Sequence, residues 1–279
     1  MAQPAPKMPA DWEMVPSPSG ADPFRYGWRP RHVRLPSGEI HEERIPLTAE
    51  DLLDPQLGDV VVQGGEHYWL VHQLAGMLKG HFTSRQDVYV AADMKMLWGI
   101  PGLEEPAPDV AIIPGVRRKM DPQPDSWDAV KEGTRPCFIL EVVSSKDSKT
   151  RNNDYEEKVR IYKRAGIKEY FILDPPIQVT RKRFLLTGYR LGEDGQYRKI
   201  QPDDRGCLFS ETANLLFGIS KDGEKVHVID ASTGARLLTE EEEREARLAA
   251  EARAAREAEA RKAMEAELEK LRAELERRQ

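Results

Sequence analysis

The segment Cys137-Phe138-Ile139-Leu140-Glu141-Val142-Val143 constrains the fold of this chain more than any other. An apolar run of this length is a core strand. A carboxylate inside one is costly unless it is paired or metal-bound. On a strand, Ile139, Glu141 and Val143 share one face, and Leu140 and Val142 take the other. If that sheet is covered on both sides, Glu141 has no route to solvent.

Two neighbouring segments bring further charges to the same place. Pro108-Asp109-Val110-Ala111-Ile112-Ile113 is a second apolar run with an acid at its head. Residues 154–165 read as a helix. Spacing them 100° apart puts Glu156, Glu157, Arg160, Lys163 and Arg164 on one side. Tyr155, Val159, Tyr162 and Ala165 fall opposite, with Lys158 among them and Asp154 at the edge. Lys158 is then the one basic residue of this helix that faces inward, toward the strand carrying Glu141. Lys168-Glu169-Tyr170-Phe171-Ile172-Leu173-Asp174-Pro175 closes the unit as another strand ended by proline.

The order of these pieces resembles the PD-(D/E)XK nuclease superfamily, and within it the Uma-two branch of restriction-endonuclease-like proteins. The residues that carry the resemblance are Pro108-Asp109, Glu141-Val142-Val143-Ser144-Ser145, Asp154 and Lys158, and Gly166-Ile167-Lys168-Glu169-Tyr170 through Asp174-Pro175. It spans roughly residues 22 to 238. One departure stands out: the lysine expected two residues after the acid is replaced by Val143. The resemblance implies that the following helix supplies it, at Lys158. Lys146, five residues beyond Glu141, is the alternative. The resemblance also implies an α/β fold with a restriction-endonuclease-like core, a mixed central sheet flanked by helices. To that core the chain adds β-hairpins and a long C-terminal helix.

The expected organisation is a flexible Pro- and Ser-rich arm over 1–21, the nuclease-like domain over 22–238, and a charged helix over 239–279. The net charge is −6, and residues 239–279, with 13 Glu against 10 Lys or Arg, carry −3 of it. A body this close to neutral does not coat nucleic acid non-specifically, although it permits a local basic rim. Cys137 and Cys207 lie far apart with no CxxC pair or Cys/His cluster, which argues against a zinc site or a disulfide framework. With no signal peptide and no apolar run of membrane-spanning length, the expected compartment is the cytoplasm and no membrane partner is expected.

Along the chain, Asp22 to Pro30 is aromatic and basic. It reads as a strap over the domain or as a stacking surface for nucleic acid. Thr48 and Asp51 mark a capped short helix. A longer helix is predicted from about Glu66 to Lys79, with Leu70, Val71, Leu74, Met77 and Leu78 recurring at three and four. His67, near its start, matches a histidine of the family and is a candidate site residue. Gln86 to Ala91 reads as a strand. After Pro176 two hairpins are predicted, one around Gly192-Glu193-Asp194-Gly195 and one pairing Val226–Asp230 with Ala235–Leu238. Arg181-Lys182-Arg183 reads as a solvated strand edge. From Thr239 the chain is an Ala/Glu/Arg/Lys helix with Glu243/Arg247 and Glu257/Arg261 spaced for i,i+4 pairing. Its Met264, Leu268, Leu271 and Leu275 form a short coiled-coil seam, from which a homodimer is expected.

The chemistry expected of the core is metal-dependent hydrolysis of phosphodiester bonds, with DNA as the expected partner. Asp109 and Glu141 are hard oxygen ligands suited to Mg²⁺ or Mn²⁺, with the main-chain carbonyl at Val143 completing the set. Lys158 would stabilise the nucleophile and the phosphate charge. Lys146, Lys149 and Arg151 crowd the loop where a phosphate would approach. Two other readings stay open. Glu141 and Lys158 can be a buried ion pair and nothing more. The fold can also be a degenerate nuclease that binds nucleic acid or assembles partners through its tail.

Overall fold

The computed structural model describes residues 22–117, 124–144, 148–177 and 181–278. The expected arm over 1–21, Lys146 and the first residues of the Arg181 segment's approach, 178–180, lie outside them. The chain opens with strands β1 (Gly27–Arg34), β2 (Ile40–Pro46) and β3 (Val60–Val61), followed by helix α1 (Gly65–Phe82). Strands β4 (Val88–Ala92), β5 (Lys95–Leu97), β6 (Val110–Pro114) and β7 (Ser126–Asp128) come next, then the short helix α2 (Ala129–Glu132) and β8 (Phe138–Val142). Helices α3 (Ser148–Asn152) and α4 (Lys158–Arg164) are joined by a π-helical turn over Asn153–Glu157. Strands β9 (Glu169–Asp174), β10 (Leu185–Leu191), β11 (Tyr197–Lys199), β12 (Leu208–Ser210), β13 (Leu215–Ile219) and β14 (Val226–Asp230) precede helix α5 (Glu240–Arg277).

Six strands form the central sheet in the order β11-β10-β9-β8-β6-β4. Only β8 and β9 run parallel in it; the other pairs are antiparallel. The fold is thus α/β with a mixed sheet, as expected. Alternation along the strands divides the core in two. Phe138, Leu140 and Val142 point to the face covered by Leu74 and Leu78 of α1 and by Phe217 and Val228 of the β12–β14 sheet. Ile139 and Val143 point to the other face, covered by Ile161, Tyr162 and Ala165 and by Trp98 and Trp127. Each such side chain fully buried contributes about 1.5–3 kcal/mol. With both faces covered, Glu141 is 0% exposed. Asp109, one residue before β6, lies on the same face, since Ala111 and Ile113 do.

Several details differ from the sequence reading. The helix carrying Lys158 starts at Ser148, six residues earlier than its apolar pattern, because the first turns are polar and are held by other means. Asn153 Nδ2 donates to the Ala49 carbonyl at 2.7 Å, and Thr150 is buried. Strand β14 gains a partner beyond the predicted hairpin: one edge lies against β13 in full register, while on the other edge the hairpin forms as expected, with the Asp230 N–H donating to the Ala235 carbonyl at 2.9 Å and the Leu237 N–H to the Val228 carbonyl at 2.8 Å. Arg181 is not a solvated edge, for it bridges Asp174 at 2.7 Å and donates to the Pro175 carbonyl. The first strands make a small sheet of their own, β2-β1-β3, with Arg44 stacked over the Trp28 ring. Thr48 and Asp51 cap each other as expected, although the turn they start, Asp51–Leu53, is 3₁₀.

Helix α5 begins with a full capping box between Thr239 and Glu242 and has no buried residue along its 38. Its side-chain pairs are Arg247–Glu251 and Arg261–Glu265, so each arginine turns to the glutamate following it rather than the one preceding it. Among the described residues, no helix is long and apolar enough to cross a membrane.

Candidate active site

Asp109 and Glu141 meet where β6 and β8 run side by side. The Val142 N–H donates to Asp109 Oδ2 at 2.6 Å, and the Asp109 N–H donates to Glu141 Oε2 at 3.3 Å. The strand ends thus hold the two carboxylates through main-chain groups, which fixes their separation without depending on long side chains. His67, in the first turn of α1, places Nε2 3.2 Å from Asp109 Oδ1. Its other ring nitrogen, Nδ1, is buried without a hydrogen-bond partner among the described residues.

Lys158 enters from the helix. Its Nζ lies 2.9 Å from Glu141 Oε2 and 2.8 Å from Asp154 Oδ1. The inward orientation read from helical spacing is therefore the observed one. The π turn prepares it. The Lys158 N–H reaches back to the Asn153 carbonyl, and the Asp154 carbonyl accepts from Tyr170 Oη at 2.7 Å. A π turn of this kind is rare and is frequently found at functional sites. Tyr162, one turn further on, donates its hydroxyl to Glu141 Oε1 at 2.5 Å.

The electrostatics are unbalanced. Burial pushes the Glu141 carboxyl up to about 8, with the Asp109 and Asp154 charges adding to the effect and Lys158 opposing it. Burial likewise raises Asp154. For Asp109 burial is outweighed by His67, Lys158 and the Val142 N–H, so it sits below the ordinary carboxylate range. His67 is raised, because Asp109 and the acids behind it overcome its burial. Lys158 is raised too: Asp154, Glu141 and Asp109 overcome burial, and it stays protonated.

A fourth acid completes the group. Asp93 follows β4 and stands opposite Asp109, its N–H bonded to the Pro108 carbonyl at 3.1 Å. It takes a left-handed backbone, φ 49°, and accepts from Gln63 Nε2 at 3.0 Å. Its side chain opens toward solvent, yet the packing around it and the Asp109 charge push its carboxyl up to about 6. Sequence reasoning missed it. The available signal was an acid straight after Val90-Ala91-Ala92 on the strand preceding Asp109. Asp93, Asp109, Asp154, His67 and Lys158 all line one cleft of about 1000 Å³.

The other candidates are placed as follows. Val143 packs its side chain in the core and donates its N–H to the Leu173 carbonyl at 2.8 Å, while Val142 and Ser144 on either side line the cleft. Arg151 is not turned to the cleft. It forms a bidentate pair with Asp174, and its guanidinium lies 5.1 Å from the Tyr155 ring centre. Lys149 is exposed on α3 outside the cleft lining. The expected trio of phosphate-binding cations is therefore not assembled by the described residues. The cleft instead contains Lys95, bonded to Asp54 at 2.8 Å, and Lys79.

Four carboxylates against one lysine and one histidine make a donor set of hard oxygens with surplus negative charge. That surplus holds a proton on Glu141 to about pH 8, and a divalent cation would relieve it in the same way. The residue types fit Mg²⁺ or Mn²⁺. Among the described residues, no three Asp, Glu, His or Cys side chains stand together in an arrangement that could hold a metal ion.

A family model described as "Uma2: Putative restriction endonuclease" matches residues 46–220. The match covers β4, β6, β8, the π turn, α4 and β9, and with them every acid of the cleft. A crystal structure of a putative nuclease belonging to DUF820 from Anabaena variabilis ATCC 29413 aligns at 11% identity over 66% of this chain and 83% of that one, with a TM-score of 0.39. No curated protein matches the chain.

Proposed function

Since the chain belongs to the Uma2 family of putative restriction endonucleases, we propose that it is a metal-dependent endonuclease that hydrolyses phosphodiester bonds, with DNA as its substrate. The observation that carries this reading is the meeting of Glu141, Asp109 and Asp154 with Lys158: Asp109, Asp154 and Lys158 line an open cleft, and Glu141 is buried directly behind them. A structural ion pair needs one carboxylate for one ammonium. Here two carboxylates, Glu141 and Asp154, bridge Lys158, and the charges of Asp109 and Asp93 act on it from further off.

Asp109 and Glu141 would hold the divalent ion, together with the carbonyl at Val143. Bound there, Mg²⁺ or Mn²⁺ supplies Lewis-acid polarisation of the phosphate and a lowered pKa for water. The chain's own groups do the rest. Lys158 keeps its proton and brings a fixed positive charge to the floor of the cleft, where phosphate charge builds up in the transition state. Asp154 holds that ammonium in place from one turn earlier on the helix. Tyr162 fixes the Glu141 carboxylate through Oε1, while Oε2 meets Lys158 and the Asp109 N–H. His67 orients Asp109, and its buried Nδ1 is left able to hold or pass a proton.

The test is a cleavage assay on single- and double-stranded DNA and RNA with Mg²⁺, Mn²⁺ or EDTA. Cleavage that requires the ion and vanishes in Asp109→Asn supports the reading. Cleavage equal in EDTA, or retained by Asp109→Asn, refutes it. A second reading draws on the 38-residue solvated helix α5: a binding or assembly module without chemistry. It is favoured if metal changes neither activity nor melting temperature.

A further inference from the structure

The outer wall of the cleft carries residues that the phosphodiester chemistry does not use. Tyr68 and His72 follow His67 along α1, one turn apart, and both line the cleft. Their rings are parallel within 10°, with centroids 6.0 Å apart. Tyr68 is 58% exposed, an unusual state for a tyrosine beside a set of buried acids. Lys79 lies on the same stripe of the helix, and from His67 to Lys79 the helix runs about 18 Å. Val61 of β3 and Val62 just after it, about 40% exposed each, line the same cleft. The cleft therefore has an acidic floor and an aromatic, aliphatic outer wall with a lysine at its far end.

We infer that this wall is a binding site for unpaired nucleotides: a base stacks on the Tyr68–His72 pair, beside Val61 and Val62, and Lys79 meets a backbone phosphate further along. The inference rests on the nuclease reading of the same cleft and names its substrate class, a strand with at least one unstacked base at the cut. Exposed aromatic rings beside a cation are how proteins hold single strands without reading sequence. A base inside a duplex has both faces covered by its neighbours, so it offers nothing to such a ring until it is unpaired or flipped out. Only the phosphate at the cut would meet the ion and Lys158 among the acids; Lys79 at the far end of the stripe gives the strand a contact away from them.

The test uses the full chain with Ca²⁺ present. Fluorescein-labelled oligo(dT) and a blunt hairpin duplex are titrated by anisotropy, and a fluorescent purine analogue in the strand reports stacking by quenching. The single strand is expected to bind tighter than the duplex. Tyr68→Ala should weaken it about 5- to 150-fold and abolish the quenching, since base–aromatic stacking is of that size, while Tyr68→Phe keeps both. Lys79→Ala should lower the slope of log affinity against log salt by about 0.7. Tyr68 is exposed, and unchanged melting of Tyr68→Ala confirms that its fold is intact. Equal binding of strand and duplex, or quenching that survives in Tyr68→Ala, overturns the inference, even if the protein cleaves DNA. Tyr68-dependent binding and quenching without cleavage of any substrate leaves it standing and removes the nuclease reading instead.

Discussion

Two buried glutamates sit on adjacent parallel strands, and they live in opposite electrostatic worlds. Glu169 opens β9 and Glu141 lies near the end of β8; both are 0% exposed. Glu169 is saturated with donors. Ser210 Oγ, Thr212 Oγ1 and the N–H groups of Glu211 and Thr212 all point at it, and Arg190 Nε lies 2.9 Å away. These contacts outweigh burial and hold its carboxyl below the ordinary range. Glu141 has Lys158 and Tyr162, but it shares Lys158 with Asp154 and faces Asp109, and it is pushed up to about 8. Burial alone does not separate a structural acid from a functional one. The balance of donors and like charges around it does. Glu169 fastens the β12–β13 region to the central sheet, whereas Glu141 shares its one cation with Asp154.

The largest expected difference between them is in activity. If Glu141 holds the ion as proposed, Glu141→Gln should lower cleavage by roughly 10³-fold or more, through loss of a Lewis-acid contribution of several kcal/mol. Glu169→Gln should leave the rate per folded molecule within a factor of about two, since a loss confined to stability does not enter that rate. Quenched-flow cleavage rates on both variants decide this. A dead Glu169→Gln that melts normally would break the comparison.

Lys158 comes next. Removing one preorganised charge contact costs ~2.7–4 kcal/mol of transition-state stabilisation, about 10²–10³ in rate. Lys158→Ala and Lys158→Met should both show that loss while still binding Mn²⁺. If either variant cleaves normally and shows only a lower melting temperature, Lys158 and Glu141 are a structural pair like Arg190 and Glu169, and the contrast disappears.

The third effect is on stability. Glu169→Gln strands Arg190 and several hydrogen-bond donors. Breaking a buried pair costs ~3–5 kcal/mol. The Arg190 side chain is 32% exposed, so ~2 kcal/mol is the expected loss by denaturant titration. Glu141→Gln should cost less, because below about pH 8 the parent side chain is itself protonated and neutral.

Much of this contrast was legible before the structure. Glu141 shows itself because its charge interrupts an apolar strand, and Lys158 because a helix projection is a reliable geometric rule. Asp109 is marked by its place at the head of an apolar run. What could not be read were contacts set by tertiary packing. The saturation of Glu169 comes from Ser210 and Thr212, some 40 residues away. Arg151 looks like a phosphate ligand in sequence, and only the fold shows that Asp174 claims it. Asp93 depends on a left-handed residue after β4, and the π turn on a Tyr170 hydroxyl from another strand. No local pattern encodes either. The hairpin of β14 with residues 235–237 was legible from its turn signal, whereas its pairing with β13 on the other edge was not, because it is set by the joint burial of Phe217 and Val228.

The pH dependence of stability should tilt in opposite directions for the two glutamates. Glu141 has a folded pKa of about 8, above its unfolded value. The native state then holds the proton more tightly, and its contribution is full below about pH 4.5 and is lost as pH rises through 8. Glu169 has a lowered folded pKa, so its contribution is present above the unfolded value and is lost as pH falls through the folded one. In EDTA, the stability of Glu141→Gln relative to the parent should therefore improve between about pH 5 and 9. The deficit of Glu169→Gln should instead shrink toward acid. Melting curves across this range test both slopes. Parallel slopes would mean that Lys158 compensates Glu141 as fully as Arg190 compensates Glu169.

The smallest effect should come from the tail, which touches neither glutamate. Helix α5 meets the body at its first turn, where Glu240 and Glu243 pass Gly76 and Gly80 of α1. Beyond that it is solvated, and Met264, Leu268, Leu271 and Leu275 are 49–70% exposed. A seam of about two heptads is weak, and isolated helices gain most of their stability from packing. Removing residues 244–279 keeps the capping box and the α1 contact. It should leave the melting temperature, both pH slopes and the cleavage rate per protomer unchanged. Self-association is the exception: if the seam pairs two copies, sedimentation should show a concentration-dependent dimer that the truncated chain lacks. A truncated chain that loses cleavage while remaining folded would mean that catalysis needs two cores held together. The contrast between Glu141 and Glu169 would then have to be measured in the dimer rather than in one chain.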